Sequence, residues 1–478
     1  MYQVPHYIDN NKVFIVQRSE IEGRLEPEFY RPSIADLEKI IRGKSSHKLR
    51  DYALSVSGGA TPKKTEGDKY YADKETGVPF LRVQNLNTDG TLSFDDYLYI
   101  NKETHEGMLA RSQVSEGDLL VKITGVGRMA IASVAPEGFI GNTNQHMVVV
   151  KTGNKEISKY LARYLNLDII EKIASRHSTG GTRPALDYPS VKNLPIIEGI
   201  DFSPIDRAIE LKKQKESEAQ KLLDSIDAYI LNELGITIPE IKTDLKSRMF
   251  LVNRSELETR FDPYYSQGYF KEAFSALYRG NYPIYSIKSL SKLITSGITP
   301  KSGGEAYTDD KETGIPFIRS GNIDINGDFD FEDLLYIKPE IHETVMKSSQ
   351  VYKNDLMIAI VGATIGQVGI FLDEREANIN QAIALVRLKE GNNIQYIKEL
   401  IKSRVGQLSL NRLKRPVARA NINLEEISTI KIPLPPLAKQ QEIANHIYSI
   451  RQQAKQLQEE GKTILENAKK EVEQMIIG

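Results

Sequence analysis

The sequence contains one long internal repeat. Lys-Glu-Thr-Gly-Val-Pro-Phe at residues 74–80 returns as Lys-Glu-Thr-Gly-Ile-Pro-Phe at residues 311–317, an offset of 237 in a chain of 478 residues. Further matches keep nearly the same offset: residues 18–22 with 254–258, 61–62 with 299–300, 99–100 with 336–337, 112–113 with 349–350, 118–119 with 355–356, and 144–145 with 380–381. Solenoid repeats recur at about 20–50 residues. The longer period predicts a duplicated domain, and two similar domains on one chain indicate two similar targets.

Composition excludes several classes of protein. A length of 478 residues predicts two or more domains, and 40% hydrophobic with 27% charged residues is typical of a soluble globular protein. The sequence shows no apolar run of membrane-spanning length and no signal-peptide pattern at residues 1–6. Zero cysteines exclude disulfides and thiolate metal sites and fit a cytoplasmic protein. The net charge of −1 does not itself indicate nucleic acid, although it permits a basic face.

Each half of the repeat ends in a predicted long helix. In the first half, Ser203 and Pro204 are a typical N-cap and first helical residue, and Gly235 is a typical stop. Thirty-one helical residues would extend roughly 46 Å. One face of this helix carries apolar residues at steps of three or four: Ala219, Leu223, Ile226, Ile230 and Leu234.

The second long helix follows Pro-Leu-Pro-Pro at residues 433–436 and continues nearly to Gly478. Its apolar or small residues alternate steps of four and three: Ile443, Ile447, Ile450, Ala454, Leu457, Gly461, Ile464 and Ala468. A period of 3.5 predicts a coiled-coil seam, and its small residues allow a close partner helix. Packing of the helix on its own domain is the alternative. The polar opposite face and the equivalent places of the two helices favour pairing with each other.

The remainder of each half predicts an α+β domain with long polar loops. Residues 118–124 and 147–150 are typical of strands, whereas apolar spacing at 161–169 and 397–405 indicates helices. The predicted domains are residues 1–202 and 237–436, and the predicted long helices are residues 203–236 and 437–478.

Catalytic motifs are absent from the sequence. It has no P-loop, and Gly125-Val126-Gly127 lacks the third glycine of a dinucleotide-binding loop. The tetrapeptide Asn-Pro-Pro-aromatic of amino-directed DNA methyltransferases does not occur. His105 and His342 match between the halves, and a helix surface with a shared structural role explains them better than one catalytic centre. The chain is therefore predicted not to be an enzyme.

Three repeated loops are candidates for contact with DNA. One holds lysines after Thr-Pro, a second is rich in glycine after a strand, and a third precedes the entry to each long helix. Arginine and lysine suit phosphates and guanine, and asparagine and glutamine suit adenine. Turns also favour glycine and asparagine for backbone reasons alone, which is the alternative. The predicted DNA-binding residues are Lys63, Lys64, Thr124, Gly125, Gly127, Arg128, Thr179, Arg183, Lys301, Gly362, Thr364, Gly366, Gln367, Arg412, Lys414, Arg415, Arg419 and Asn421.

With these features assembled, the chain resembles the specificity (S) subunit of type I restriction–modification systems over nearly its whole length. The most specific part is Ile-Pro-Leu-Pro-Pro-Leu at residues 432–437 with Gln-Gln-Glu-Ile-Ala at 440–444. Thr299-Pro300, residues 314–317, 364–366 and Asn380-Gln381 also resemble that family's target-recognition domain. The first half departs from the pattern, with Leu-Pro-Ile at 194–196 and Gly-Arg-Met at 127–129.

The resemblance implies two target-recognition domains separated by two long helices that form an antiparallel coiled coil. Each domain would read one half of a split sequence in double-stranded DNA. The helices would set the unread spacer and dock two methyltransferase (M) subunits, which use S-adenosylmethionine to methylate adenine N6, while restriction (R) subunits join. No cofactor is expected on this chain. The predicted coiled-coil and docking residues are Leu223, Ile226, Ile230, Ile443, Ile447, Ile450, Leu457 and Ile464.

Two other functions remain open from the residues alone. One is a non-catalytic scaffold whose duplicated domains bind other proteins. The other is a fragment of a fused enzyme whose chemistry lacks a recognisable motif. A gel shift of DNA with the chain and its methyltransferase subunit separates the predicted DNA-specificity subunit from these two alternatives. Methylation of DNA by the chain alone would indicate the enzyme fragment.

Overall fold

The computed structural model describes residues 8–45, 47–94, 97–241, 244, 249–254, 260, 262–301, 304–324, 327, 329–331, 333–414 and 421–478. The chain divides into two compact units. The first unit comprises Met1–Glu216 and Gln458–Gly478, and the second comprises Ser217–Leu457. Each long helix therefore contributes one end to each unit.

Several helices begin at a capping side chain or at a proline. Asn154 and Asn393, for example, accept N–H groups in the first turns of the helices that follow them. Among the described residues, every helix is too short or too polar to cross a membrane. The α-helices are α1 (Pro32–Lys44), α2 (Gly67–Tyr70), α3 (Lys102–Glu106), α4 (Lys155–Leu165), α5 (Asp168–His177), α6 (Tyr188–Lys192), α7 (Ser203–Leu234), α8 (Gly268–Tyr278), α9 (Ile287–Leu290), α10 (Pro339–Glu343), α11 (Ile394–Lys402), α12 (Arg404–Leu413), α13 (Leu424–Ser428) and α14 (Leu437–Ile477).

The strands are short and most are buried. Those of the first unit are β1 (His47–Lys48), β2 (Ser55–Gly58), β3 (Val78–Leu81), β4 (Leu98–Ile100), β5 (Gln113–Ser115), β6 (Leu119–Lys122), β7 (Ala132–Val134), β8 (Ile140–Thr143), β9 (Met147–Lys151) and β10 (Pro195–Ile196). Those of the second unit are β11 (Ile284–Ser286), β12 (Ser291–Ser296), β13 (Tyr307–Thr308), β14 (Ile315–Ile318), β15 (Leu335–Ile337), β16 (Gln350–Val351), β17 (Leu356–Ala359), β18 (Val368–Ile370), β19 (Ala377–Ile379), β20 (Ile383–Leu388) and β21 (Lys431–Pro433).

The two units share one topology, which confirms the duplication. A sheet of order β2-β9-β6-β7 in the first unit matches β12-β20-β17-β18 in the second. The order β4-β3-β8-β5 matches β15-β14-β19-β16, to which β13 adds a fifth strand. The parallel pair β3–β8 recurs as β14–β19, with Phe80 opposite Asn142 and Phe317 opposite Asn378. The fold is the predicted α+β class in both units.

The predicted helix at residues 161–169 is in fact two helices, which is a correction to the sequence interpretation. Helix α4 ends at Leu165 and α5 begins at Asp168. Asn166, which lies between the two helices, binds the backbone of Ala132 in β7. Its amide oxygen accepts from the Ala132 N–H (3.1 Å), and its amide nitrogen donates to the Ala132 carbonyl (2.7 Å). The second unit has the same break between α11 and α12. The spacing of apolar residues does not reveal where a helix is interrupted by a contact with a strand that is distant in the sequence.

In the second unit the two long helices pair antiparallel. The rings of Tyr229 and His446 lie 4.2 Å apart, and Glu233 forms a 2.6 Å ion pair with Lys439. These contacts pair residues whose numbers rise on α7 and fall on α14. The predicted seam residues Ile226 and Ile230 of α7 and Ile443, Ile447 and Ile450 of α14 are buried in one hydrophobic cluster, and Leu223 and Leu457 are half-buried.

The first unit contains the other ends of the same helices, also antiparallel. Lys215 pairs with Glu460 at 2.8 Å, and a Cβ on Gly461 would lie 3.3 Å from the Cα of Lys212, so the small residue does allow the backbones to approach. Beyond Gly461 the buried apolar residues are Leu465, Ala468, Val472 and Ile476, while the predicted Ile464 is only half-buried. A straight helix drifts about 20° per heptad from a 3.5 repeat, which explains this change of face.

Candidate nucleic-acid interface

Two of the predicted loops of the first unit meet at the turn formed by residues 144–146. The carbonyl oxygen of His146 accepts hydrogen bonds from the N–H groups of Ile123 (2.9 Å) and Thr124 (3.2 Å), where the glycine loop begins. On the other side, the hydroxyl of Thr61 contacts the amide oxygen of Gln145. The loop that carries Lys63 and the glycine loop therefore share one anchor.

The third predicted loop, residues 177–184 in the sequence interpretation and 178–185 in the structure, is attached to the glycine loop by backbone hydrogen bonds. Thr179 and Ala185 exchange two N–H to carbonyl bonds of 2.8 Å, and Ala185 also bridges to Thr124. The N–H of Gly125 donates to Pro184 at 3.0 Å, and that of Leu186 donates to Ile123 at 2.8 Å. Three loops that are far apart in sequence thus form one surface.

The second unit builds the same surface at the same offsets. The Thr299 hydroxyl contacts the amide oxygen of Gln381, and the N–H of Ile360 donates to the carbonyl of Ala382 at 2.9 Å. Val361 bridges to Asn421, and the N–H of Ile422 donates to Ile360 at 3.0 Å, as Leu186 does to Ile123. Asn421 therefore lies beside the second glycine loop.

Glycines are required here for two different reasons. Gly59 and Gly297 lie against the backbone preceding the Asn-Gln turn, where a Cβ would approach the carbonyl oxygens of Thr143 and Ile379 to 1.7 and 1.6 Å. The predicted residues Gly125, Gly127, Gly362 and Gly366 have φ of 122°, 78°, 77° and 94°, in the left-handed region that other residues rarely adopt. The glycine signal in the sequence is therefore explained by backbone geometry, and this geometry presents main-chain atoms at the surface.

Several predicted DNA-binding residues are exposed on this surface. Lys63, Thr179, Arg183, Lys301 and Asn421 are exposed, and Thr124, Thr364 and Gln367 are half-buried. Lys63 lies 4.0 Å from Glu66, with 78% of its side chain accessible. The side chain of Lys64 and all of Arg415 and Arg419 lie outside the described residues, so their predicted roles stay predictions.

Three other predicted residues are engaged by their own unit. Arg128 pairs with Asp168 and donates to the carbonyl of Asn166 at 2.7 Å. Arg412 donates to the carbonyl of Tyr265 at 3.1 Å, and its guanidinium lies 3.9 Å from the centre of that ring. Lys414 donates to the side chain of Asn411 at 2.8 Å, and burial lowers the pKa of its ammonium. These contacts support the loops from within, and the DNA roles predicted for the three residues are untested.

The sequence interpretation did not include two exposed glutamines of this surface among the DNA-binding residues. Gln145 and Gln381 are exposed, and each is held by a threonine hydroxyl. Because two oxygens meet there, the hydroxyl must donate to the amide oxygen, which orients the amide nitrogen away from the threonine. The signal was present, since Asn-Gln repeats at 144–145 and 380–381, but nothing local marks it as a site.

The matched histidines face inward, which corrects their expected place on a helix surface. The ring of His105 contacts the amide oxygen of Asn142, and Nδ1 of the buried His342 lies 2.5 Å from that of Asn378. Both asparagines also donate to backbone carbonyls, at 2.8 and 2.9 Å. Each histidine thus links a short helix to the parallel strand pair.

Glu38 fixes the end of α5, which leads into the loop at residues 178–185. This carboxylate pairs with Arg42, Arg176 and His177. Burial alone would raise the pKa of Glu38, but the hydrogen bonds from His177, Arg176 and Arg42 lower it to about 2. In the second unit the equivalent position is Phe274, which packs 5.4 Å from Arg412 instead.

Replacing Glu38 by glutamine should make the first unit less stable at neutral pH. The folded pKa of about 2 lies below the ordinary value of 4.5, so the charged pairing stabilises the fold fully above pH 4.5 and is lost as the pH falls toward 2. We expect Glu38→Gln to lower the free energy of unfolding at pH 7 by on the order of 3 kcal/mol.

Urea unfolding at several pH values measures both the loss and its pH dependence. Between pH 4.5 and 2 the variant should lose less stability than the wild type. Glu28→Gln is the control, because Glu28 is exposed and pairs only with its neighbour Arg31 among the described ion pairs. Equal stability of Glu38→Gln and wild type at pH 7 would contradict the expectation.

Comparison with known proteins identifies relatives of part of the chain. The sequence model of the family described as "Type I restriction modification DNA specificity domain" matches residues 279–466. The "Type I restriction enzyme EcoBI specificity subunit" of Escherichia coli is 33% identical over 140 residues, which are 29% of this chain and 29% of that protein. The chain thus aligns with under a third of the length of this relative.

Three solved structures align with most of the chain at low sequence identity and low TM-score. A chain from a structure of "complex assembly and conformational transition of the type I R-M system" aligns with 90% of this chain and 95% of its own length, at 15% identity and a TM-score of 0.43. The HsdS subunit of Thermoanaerobacter tengcongensis aligns with 90% of this chain and 95% of its own length, at 13% identity and a TM-score of 0.36. The S subunit of M. genitalium aligns over 88% and 95%, at 13% identity and a TM-score of 0.37.

Proposed function

We propose that this chain, whose residues 279–466 match the model of the type I restriction–modification DNA specificity domain, reads a split DNA sequence, with each unit recognising one half. The observation that carries the proposal is the repeated loop surface. In both units the Thr-Pro loop contacts an exposed glutamine, the glycine loop bonds the residue after that glutamine, and the end of the third loop pairs with the glycine loop, all at matching positions. One surface built twice fits two half-sites of similar chemistry.

The exposed side chains suit the two kinds of contact that DNA offers. Lys63, Arg183 and Lys301 provide positive charge for phosphates, which positions the duplex without reading its sequence. The amide nitrogen of Gln145 lies 3.3 Å from Nε2 of His146, and among the described hydrogen bonds Gln381 uses only its amide oxygen. Each glutamine therefore keeps at least one amide N–H donor and a second lone pair on the oxygen. That set matches N7 and the N6 amino group of adenine in the major groove. We therefore assign base reading to the glutamines and backbone contact to the cations.

The proposed partners follow from this role. Two M subunits would dock on the long helices and methylate adenine N6 with S-adenosylmethionine, and R subunits would add restriction. The chain itself is proposed to be non-catalytic and to bind no cofactor. Its contribution is to place the enzyme at a chosen sequence, so its variants should alter where methylation occurs.

Gln381→Ala tests this role directly. We expect the methylated motif to lose discrimination at one base pair of one half-site, because a bidentate contact to a base is worth about 1–3 kcal/mol. Methylome sequencing of cells that express the variant with its M subunit gives the motif. A gel shift of the reconstituted complex gives the affinity for the original and changed half-sites.

The control for this experiment is Gln453→Ala, an exposed glutamine on α14. The control should methylate the wild-type motif. Gln145→Ala should relax the opposite half-site, which tests the equivalence of the two units. An unchanged motif and affinity in both Gln145→Ala and Gln381→Ala would remove the glutamines from the interface, and a wild-type complex without any sequence preference would refute the proposed function.

A further inference from the structure

In the first unit, the ring of Phe29 lies between two guanidinium groups. The centre of this buried ring is 4.7 Å from Arg24 and 4.3 Å from Arg176. Arg176 also donates to the carbonyl of Phe29 at 2.6 Å. We call Arg24, Phe29 and Arg176 the first clamp.

The second unit contains the same arrangement, each residue 236 positions later. The ring of Tyr265 lies 4.8 Å from Arg260 and 3.9 Å from Arg412, and Arg412 donates to the carbonyl of Tyr265. We call Arg260, Tyr265 and Arg412 the second clamp. The aromatic residue changes from phenylalanine to tyrosine, whereas both arginines are kept.

Each clamp attaches the segment that begins its repeat to the end of a helix. Arg24 donates to the carbonyl of Ser178, directly after α5, at 2.7 Å. Arg260 donates to the carbonyl of Leu413, the last residue of α12, at 2.8 Å. The final carbonyls of a helix lack partners within it and carry partial negative charge, so a guanidinium is well suited to bind there.

Neighbouring carboxylates pair with Arg24 and Arg176 of the first clamp and with Arg260 of the second. Arg24 pairs with Glu26 at 3.3 Å and Arg176 pairs with Glu38. Arg260 pairs with Asp262 at 2.8 Å. Because the arginines are largely buried, with 21%, 13% and 12% of the side chains of Arg24, Arg176 and Arg260 accessible, their attraction to the ring is weakly screened by water.

The carbonyls that Arg24 and Arg260 bind, those of Ser178 and Leu413, lie where the third loop of each surface begins. Ser178 precedes Thr179, whose backbone pairs with Ala185 beside the glycine loop. We propose that Arg24 and Arg260 are positioning residues for the two DNA-reading surfaces, each holding the start of its own third loop. This inference rests on the proposed function, and it assigns separate half-sites to the two arginines.

The test uses the full chain reconstituted with its M subunit, in three forms: wild type, Arg24→Met and Arg260→Met. Binding is measured with DNA duplexes that carry the original motif or one altered half-site. We expect each variant to lose at least about tenfold of the discrimination at one half-site. The other half-site should be read as in wild type, and the affected half should differ between the two variants.

Matched controls separate positioning from a general loss of charge. Arg31→Met removes an arginine that lies near Arg24 and Phe29 in the sequence and pairs with Glu28. Arg279→Met removes an exposed arginine of the second unit. Both should leave discrimination unchanged. Phe29→Leu keeps an apolar side chain at the buried position but removes the ring. Phe29→Leu should relax the half-site that the first unit reads. It therefore tests the first clamp independently if Arg24→Met fails to fold.

The results distinguish this inference from the function on which it depends. If the wild-type complex prefers no sequence, the proposed function fails. If wild type reads a split motif, and if the variants Arg24→Met, Phe29→Leu and Arg260→Met read both halves as well as wild type does, only the positioning role fails. Equal weakening of both half-sites together with a lower unfolding temperature would overturn it as well, because that result describes a structural residue.

Discussion

Exchange of residues 251–431 for the same region of a related specificity subunit should change one half of the methylated DNA sequence and preserve the other half and the spacer. The physical reason is that the segment carries the whole loop surface of the second unit, including Lys301, Gln381 and Asn421. The surface of the first unit is made by residues 61–186, outside the exchanged segment. Methylome sequencing of a strain that carries the exchanged chain provides the measurement.

The second junction of this exchange falls within β21, between Lys431 and Ile432. Strand β11 moves with the segment and pairs with β21 through main-chain hydrogen bonds, with Tyr285 opposite Ile432. An exchange of residues 251–431 with those of the chain itself, carrying silent markers only, is the control for expression. A motif that is scrambled in both halves, or absent although the complex assembles, would contradict the two-reader proposal.

A matched insertion in the long helices should have the reciprocal effect. Helices α7 and α14 each contribute to both units, so seven residues inserted at 216/217 and at 457/458 keep the heptad phase of each helix. Seven residues add roughly 10 Å to a helix, about three base pairs at 3.4 Å each. Both half-sites should persist while the spacer grows.

Aspartate at Ile447 and Leu457 should weaken the second unit and the docking of the methyltransferase. Ile447 is 1% exposed and packs in the cluster that contains Ile226 and Ile230 of α7. A carboxylate there loses apolar contacts and is buried without a partner, at a cost of about 3–5 kcal/mol. Pull-down with the M subunit, thermal unfolding and small-angle scattering measure the consequences.

The control for the seam carries aspartate on the opposite side of the same helix. Tyr448 is 65% exposed and Gln453 is exposed, so Tyr448→Asp with Gln453→Asp changes helix propensity and charge similarly without burying a carboxylate. The control should unfold at nearly the wild-type temperature. If Ile447→Asp with Leu457→Asp also matches wild type in unfolding, scattering and pull-down, the seam does not hold the helices together.

Features that depend on neighbours in sequence were predictable from the sequence alone. The offset near 237 predicted two domains of one topology, and both sheets repeat at that offset. Ser203, Pro204 and Gly235 marked the ends of α7, which the structure places at Ser203–Leu234. The small residue Gly461 predicted close helix packing, which Lys212 confirms. Caps, proline, glycine and periodicity act over a few residues, and a sequence displays such interactions directly.

Contacts between distant segments were decided only by the tertiary structure. The long helix changes its buried face to Leu465, because a straight helix does not hold a 3.5 repeat. The charge of Arg412 predicted a phosphate contact, but its guanidinium lies over the ring of Tyr265, 147 residues away in the sequence, and donates to the carbonyl of that residue. Gln381 lies between the Thr-Pro loop and the glycine loop because the hydroxyl of Thr299 contacts its amide oxygen and the N–H of Ile360 donates to the carbonyl of the adjacent Ala382. Charge and polarity state what a side chain can bind, whereas long-range packing determines whether its partner is the protein itself or remains available to DNA.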